Sequence, residues 1–213
     1  MYASQRYADA AKSWELSVDL KHASAHALLS NVLIEGRPDV PKDHNRAFAL
    51  AVAGAGMGCA HSKGVLGRCY IGGFGVAEDR AKALGLGRES AAAGSCMGQY
   101  VIGYCYNQGW GVAQDYAEAV RLYHLAVAQG HAHAQSNLGY MFSNGQGVAQ
   151  DHAEAVRLFR LAAAQGHAHA QYNLGVMFKN GEGVAQDRGE AIRWYRLAAA
   201  QGNADATAAL SPL

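Results

Sequence analysis

Apolar positions recur at helical spacing along most of this chain. Two adjacent segments, 151–164 and 167–179, each place apolar residues three or four positions apart, as on one face of a helix. In chain order these residues are Ala155, Leu158, Phe159, Ala162, Ala170, Leu174 and Phe178. Gly175 lies within the second stripe, where a small residue lets a paired helix approach closely. The pattern predicts two helices packed against each other.

The residues at the ends of these stripes predict where each helix begins and ends. Asp151 is a good N-cap, and Glu154 three positions later completes a capping box in its Asp form. Gly166 ends the first helix, because a residue without Cβ takes the left-handed conformation without strain. The loop 180–184, Asn-Gly-Glu-Gly-Val, turns the chain back, and we expect Val184 to fill the gap between neighbouring repeats.

The same pattern returns every 36 residues. Its most regular copies, 115–150 and 151–186, differ at eight positions. The predicted boundaries are a partial N-terminal repeat at 6–42, repeats at 43–78, 79–114, 115–150 and 151–186, and a C-terminal repeat at 187–213. One such hairpin cannot bury its own apolar face, but a stack of them can. We therefore predict an all-α fold, a right-handed α/α superhelical solenoid that forms a single domain over 1–213.

Charge and composition argue against several classes of partner. Lys and Arg total 18 against 17 Asp and Glu, which gives no electrostatic reason to expect nucleic acid or an anionic membrane. The chain has no run of 18 or more apolar residues, so we expect no direct membrane insertion. The four cysteines lie only in the middle of the chain, rather than as a pair in most repeats, which favours a cytoplasmic or other reducing compartment.

Motifs of catalysis or metal binding are missing from the sequence. The cysteines lack the short spacing of a zinc site, and the Gly-x-Gly sequences are repeat loops with no preceding strand. HExxH, the phosphate-binding loop and Gly-x-Ser-x-Gly do not occur. We expect no catalytic residue, cofactor or metal. Cys69 and Cys105 take the places of Met141 and Met177, and we expect them to be small buried thiols.

The repeat resembles a known family. The stretches NLGYMFSNGQGVAQDHAEAVRLFRLAAAQGHA and NLGVMFKNGEGVAQDRGEAIRWYRLAAAQGNA are similar to the Sel-one-like repeat (SLR) family, relatives of tetratricopeptide repeats. The resemblance rests on the Leu-Gly pair, the Gly-x-Gly-Val loop, the following Asp, the Ala-rich helix and the 36-residue period together. It implies an α/α solenoid that acts as an adaptor or scaffold for protein complexes.

One cysteine-rich bacterial subgroup of the family carries a disulfide in nearly every repeat and is linked to β-lactam binding or hydrolysis. This sequence departs from that pattern, because its two most regular repeats contain no cysteine. It also has no Ser-x-x-Lys, which serine β-lactamases use for the nucleophile and the base. A hydrolase of this type is therefore the least favoured of the functional hypotheses.

A candidate partner-binding face follows from the helix after each turn glycine. Offsets of three, six, ten and thirteen from that glycine fall on the face opposite the core. By analogy with tetratricopeptide arrays this face lines a concave groove, where tyrosines suit a protein interface. The candidate residues are Arg68, Met97, Tyr100, Tyr104, Asn107, His133, Tyr140, His169, Tyr172 and Lys179. The alternative is that these tyrosines pack against the next repeat with only the hydroxyl exposed.

The middle of the chain departs from the pattern. Most repeats have an aromatic residue at one buried position of the Ala-rich helix, namely Trp14, Tyr123, Phe159 and Tyr195. Ala51 and Gly87 replace it in the repeats that begin at residues 43 and 79, which leaves space that a neighbouring aromatic such as Tyr100 could fill. Two explanations account for this departure: local repacking, or a patch into which a partner helix or ligand inserts.

The preferred function is a non-catalytic adaptor that binds a peptide or helix of another protein along the concave face. The alternative is a permanent structural subunit of a larger assembly, held through its ends and its convex side.

Overall fold

The structure, a computed structural model, describes residues 2–37 and 39–211, with side chains from residue 9 onward. Twelve α-helices form within these ranges, and the only strand-like pairing there is one bridge between Arg37 and Val40. The helices are α1 (Tyr2–Asp19), α2 (Ala23–Glu35), α3 (His44–Gly56), α4 (Ala60–Gly72), α5 (Arg80–Ala92), α6 (Cys96–Gln108), α7 (Tyr116–Ala128), α8 (Ala132–Asn144), α9 (His152–Ala164), α10 (Ala168–Asn180), α11 (Arg188–Ala199) and α12 (Ala204–Leu210).

The chain is divided into two compact units. Unit 1 is Met1–Gln114 and contains α1 to α6, while unit 2 is Asp115–Leu213 and contains α7 to α12. The border between them coincides with a border between two of the predicted repeats. Each unit is built from helix–turn–helix repeats, so the predicted all-α fold class is confirmed.

Five helices begin at the aspartates that mark the repeat. Each aspartate accepts a hydrogen bond from the backbone N–H three residues later, at 2.9–3.0 Å, as an N-cap does. The N-caps are Asp43, Asp79, Asp115, Asp151 and Asp187. The predicted capping box forms only in part. The Glu154 carboxylate binds Arg157 at 2.7 Å, and the Asp151 backbone N–H donates to the Phe142 carbonyl oxygen instead.

The glycines of the loops have the predicted left-handed backbone. Gly166 has φ of +82°, and Gly181 and Gly183 have φ of +75° and +68°. Gly183 is required for a second reason, since a Cβ there would collide with the backbone of His152 at the start of α9. The turn glycine and the loop therefore fix both the end of each helix and the approach of the next one.

The core of unit 2 confirms the predicted stripes. Ala155, Leu158, Phe159 and Ala162 on α9 and Ala170 and Leu174 on α10 are all at most 1% exposed. Val184 packs against this cluster beside Phe142, Phe178 and Trp194. The small residue at 175 is needed as predicted, because a Cβ there would lie 2.5 Å from the ring of Tyr195 on α11.

Aliphatic side chains fill the space left in the middle of the chain. A Cβ on Gly87 would lie 2.7 Å from Val101 and 3.1 Å from Ile102, so no room for an inserted ligand remains beside it. In unit 2 the residue equivalent to Val101 is Asn137, whose amide donates to the Tyr123 hydroxyl at 3.1 Å. Loss of the aromatic residue thus goes with replacement of its polar partner by valine, which supports local repacking.

Candidate protein-binding surface

The predicted partner-binding residues lie on α4 and α6 in unit 1 and on α8 and α10 in unit 2. Three of the ten are buried rather than exposed: Arg68 at 7%, Met97 at 0% and Tyr100 at 8%. Tyr140, His169 and Lys179 are exposed. The partly buried ones are Tyr104, Asn107, His133 and Tyr172.

Arg68 is held by its own unit. Its guanidinium donates to Asn31 Oδ1 at 2.6 Å and to Glu35 Oε1 at 3.1 Å, and it lies 6.0 Å from the centre of the Phe74 ring. Glu35 also forms an ion pair with Arg37, in which Arg37 Nη2 lies 2.6 Å from Glu35 Oε2. Because the charge of Arg68 is buried and paired within unit 1, this residue stabilises the packing of α4 on α2 instead of presenting a cation to solvent.

The tyrosines of α6 form part of an aromatic row within unit 1. Tyr104 lies 6.2 Å from Tyr100 and 5.3 Å from Trp110, and the Arg80 guanidinium lies 4.3 Å from the Trp110 ring centre. Burial raises the pKa of Tyr100 to about 12 and also raises the pKa of Tyr104, so both phenols are neutral at physiological pH. Met97 is enclosed at the start of the same helix, against Gly64.

In unit 2 the corresponding face is more open. Tyr140 on α8 is 51% exposed, the largest exposed aromatic among the described residues. Tyr172 on α10 is partly buried, with its ring 5.7 Å from that of Tyr195, and Val176 packs beside it. Tyr172 therefore follows the alternative of packing against the next helix, whereas Tyr140 projects into solvent.

The charges of unit 2 are sorted between its two sets of helices. Helices α7, α9 and α11 each carry one Glu–Arg ion pair at 2.7–3.0 Å. Ion pairs as exposed as these contribute little to the free energy of unfolding. Helices α8 and α10 contain no acidic residue, and Lys179 is their only Lys or Arg. The face with Tyr140 thus offers aromatic, amide and imidazole groups with few charges, a composition that suits protein contact.

Some important residues carry no signal that marks them in the repeat. Asn31 and Glu35 hold Arg68, yet in the sequence they stand in the diverged N-terminal repeat. His131 and His167 cap α8 and α10 through their side chains, a role that the duplicated Gly-His-Ala-His-Ala turn contains but that sequence patterns rarely assign to histidine.

The cysteines are free thiols. Cys69 and Cys105 are fully buried, as predicted, and burial raises the pKa of each to about 11. Among the described residues, no group of three or more His, Cys, Asp or Glu is arranged to hold a metal ion. In the same part of the chain, no helix has the length and apolar character needed to cross a membrane.

A helix–turn–helix repeat with a capping Asp, a Gly-x-Gly loop and a 36-residue period defines a class of α/α repeat proteins. The sequence model of the Sel1 repeat matches residues 23–59, 65–95, 96–131, 132–167 and 168–203. The chain therefore belongs to the Sel1 repeat family. Proteins of this family generally mediate protein–protein interaction, and the fold is typically a non-catalytic binding scaffold.

Solved structures agree with this assignment. A Sel1 repeat protein of Oxalobacter formigenes is 27% identical, with a TM-score of 0.65 over 87% of this chain and 74% of that one. A protective antigen of uropathogenic Escherichia coli with the SLR fold is 30% identical, with a TM-score of 0.61 over 91% of this chain and 41% of the antigen. An immunity protein of Pseudomonas aeruginosa is 25% identical, with a TM-score of 0.57 over 86% of this chain and 66% of that one.

This chain thus spans less than half the length of the antigen and about two thirds of the immunity protein. A comparison with curated protein sequences finds no match.

Proposed function

We propose that this chain is a non-catalytic adaptor that binds another protein through the outward faces of α8 and α10. The observation that carries the proposal is the exposed Tyr140 on a face with few charges, opposite the core of unit 2. An aromatic side chain with a hydroxyl gives a large contact area at a small loss of side-chain entropy. The other candidate contact residues on these two helices are the exposed His169 and Lys179 and the partly buried His133 and Tyr172.

Unit 1 has candidate contact residues of its own on α6, Tyr104 and Asn107, which are partly exposed. Arg68, Met97 and Tyr100 are buried, so we do not propose them as contact residues. The family supports a binding role, and the likeness to an immunity protein favours a protein as the partner.

A second candidate function rests on a different surface. Exposed leucines recur at the same position of α7, α9 and α11, at 42%, 40% and 42% exposure, and they are Leu125, Leu161 and Leu197. Exposed apolar side chains on three successive outer helices favour a permanent structural subunit, held in a larger assembly through this side. The two functions therefore predict contact through different helices of the same unit.

Site-specific photo-crosslinking separates them. A benzoylphenylalanine replaces Tyr140 in one variant and Leu161 in a matched control of similar exposure, and crosslinked species from the source cells are identified by mass spectrometry. The adaptor function predicts a protein crosslinked from position 140 and absent from position 161. Tyr140→Ala should then lower capture of that protein at least ten-fold without changing helicity.

The structural-subunit function predicts a different pattern of crosslinks. Crosslinks from position 161 alone, to a protein that stays bound on dilution and in high salt, would establish the structural subunit. Absence of any crosslink from position 140 would refute the adaptor proposal for this face.

A further inference from the structure

A row of imidazole rings lies across the helix starts of unit 2. The ring centres of His131 and His133 are 5.7 Å apart, and those of His133 and His167 are 4.6 Å apart. The ring centres of His167 and His169 are 6.0 Å apart. At the end of the row, Asn203 Nδ2 lies 3.5 Å from His169 Nδ1. The two Gly-His-Ala-His-Ala turns, which are far apart in sequence, are thus brought into one continuous set of contacts.

Two of these histidines are the N-caps of their helices. His131 Nδ1 accepts a hydrogen bond from the Ala134 backbone N–H at 3.2 Å, and His167 Nδ1 accepts one from the Ala170 N–H at 3.3 Å. An imidazole nitrogen accepts a hydrogen bond only while it carries no proton, so the neutral ring with its proton on Nε2 is the capping form. Each cap therefore depends on the protonation state of its histidine.

The charged residues in the turns next to the row are few. The first turns of α8 and α10 have no acidic residue, and the first turn of α12 has Asp205. The last turns of α7 and α9 have no basic residue, and that of α11 has Arg196.

Neutral amides fill the space between these helix ends. Gln165 Nε2 donates to Gln135 Oε1 at 2.8 Å, and Gln201 Nε2 donates to Gln171 Oε1 at 2.7 Å. His131 and His167 lie at helix N-termini, which carry partial positive charge, and both rings lie beside the ring of His133.

We infer that His131 and His167 form an acid-sensitive capping switch for α8 and α10. A proton taken from solvent on Nδ1 turns each acceptor into a donor and so breaks the bond to the Ala134 or Ala170 N–H. It also places a positive charge at the positive end of a helix and beside the ring of His133. The first turns of both helices then open.

The direction of the pH effect follows from which form the fold prefers. The folded helix start favours neutral histidine, so the cap is present above about pH 6.5, where histidine is ordinarily neutral, and is lost as the pH falls below it. This switch goes beyond the proposed function and does not depend on it, although α8 and α10 also carry the candidate binding face.

The chain contains its own control for this switch. Asn203 occupies the equivalent position before α12, and its Oδ1 accepts from the Ala206 N–H at 2.8 Å. An amide oxygen does not titrate in this range. The cap of α12 should therefore be insensitive to acid while those of α8 and α10 are not.

Amide hydrogen exchange, resolved by residue in NMR spectra of the full chain, tests the switch. Protection factors of the Ala134 and Ala170 amides should fall about five-fold between pH 7.5 and pH 5.5, as expected for loss of an N-cap. The protection factor of the Ala206 amide should stay within two-fold over the same range. A uniform fall at all three amides, or constancy at all three, would overturn the inference.

The double variant His131→Asn/His167→Asn gives the matched second test, since it installs the cap already present at Asn203. Its Ala134 and Ala170 amides should keep their protection at pH 5.5. If the variant still lost protection in acid, then the caps would not be the titrating element. If the variant does not fold, the inference is still tested by the unaltered chain, in which the pH dependence of protection at Ala206 is compared with that at Ala134 and Ala170.

Discussion

Replacement of Gly175 by alanine tests how closely the helices of unit 2 approach. Gly175 lies on α10, and an added Cβ would sit 2.5 Å from Cδ1 and Cε1 of Tyr195 and 3.1 Å from its Cζ. Carbon atoms pack comfortably at about 3.5–4.0 Å, so the ring must retreat by roughly 1 Å. Tyr195 is 1% exposed and belongs to a packed cluster, which leaves it little freedom to move.

Two effects of opposite sign set the magnitude. Overpacking of a well-packed core costs about 1–3 kcal/mol. Alanine in a helix interior is favoured over glycine by about 1 kcal/mol. If overpacking costs about 2 kcal/mol, the middle of its range, and helix propensity returns about 1 kcal/mol, then Gly175→Ala should lower the free energy of unfolding by about 1 kcal/mol.

Gly85 on α5 is the matched control, because a Cβ there would meet nothing within 4 Å. Gly85→Ala should raise the free energy of unfolding by about 1 kcal/mol through helix propensity alone. Urea denaturation followed by circular dichroism measures both variants. In a Tyr195→Leu background the cost of Gly175→Ala should disappear, since the two residues are in contact.

The reasoning would be refuted if Gly175→Ala were as stabilising as Gly85→Ala. It would also fail if the cost of Gly175→Ala were unchanged beside Leu at position 195.

Three further predictions concern other parts of the chain. Asp151→Ala should lower the free energy of unfolding by about 1 kcal/mol through loss of the N-cap, and a urea titration that shows no change would contradict that role. Arg68→Met should cost about 2 kcal/mol, because Asn31 loses its partner while Glu35 keeps Arg37, and an unaltered unfolding midpoint would contradict the buried pairing. The Cys69 and Cys105 thiols, with pKa raised to about 11, should react slowly with a disulfide reagent at pH 8 and faster as the pH approaches 11. Rapid labelling of Cys69 at pH 8 in the folded chain would contradict its burial.

The sequence predicted the local structure well, because local structure here depends on residues a few positions apart. Asp151 caps α9 as predicted, since an N-cap needs only its own side chain and the backbone N–H three residues later. Gly166 follows the end of α9 with the predicted left-handed backbone, since a positive φ is a property of one residue. The repeat period then assigned the same structure to every copy.

The exposure of the candidate contact residues was predicted less well. The periodicity put Tyr140, Arg68 and Tyr100 on one open face, and of these three Tyr140 is exposed while Arg68 and Tyr100 are buried. Exposure on that face depends on what a neighbouring helix provides. Asn31 and Glu35 cover Arg68, whereas nothing covers Tyr140 to the same degree.

The sequence by itself therefore determined the helices, their ends, the repeat and the family, because those are encoded within each 36-residue segment. Tertiary structure alone decided which members of an equivalent row are exposed, how Val101 replaces the aromatic residue missing at Gly87, and that the imidazoles of two separate turns meet. These outcomes depend on side chains from different repeats coming within a few ångströms of each other, and no spacing within one repeat specifies that distance.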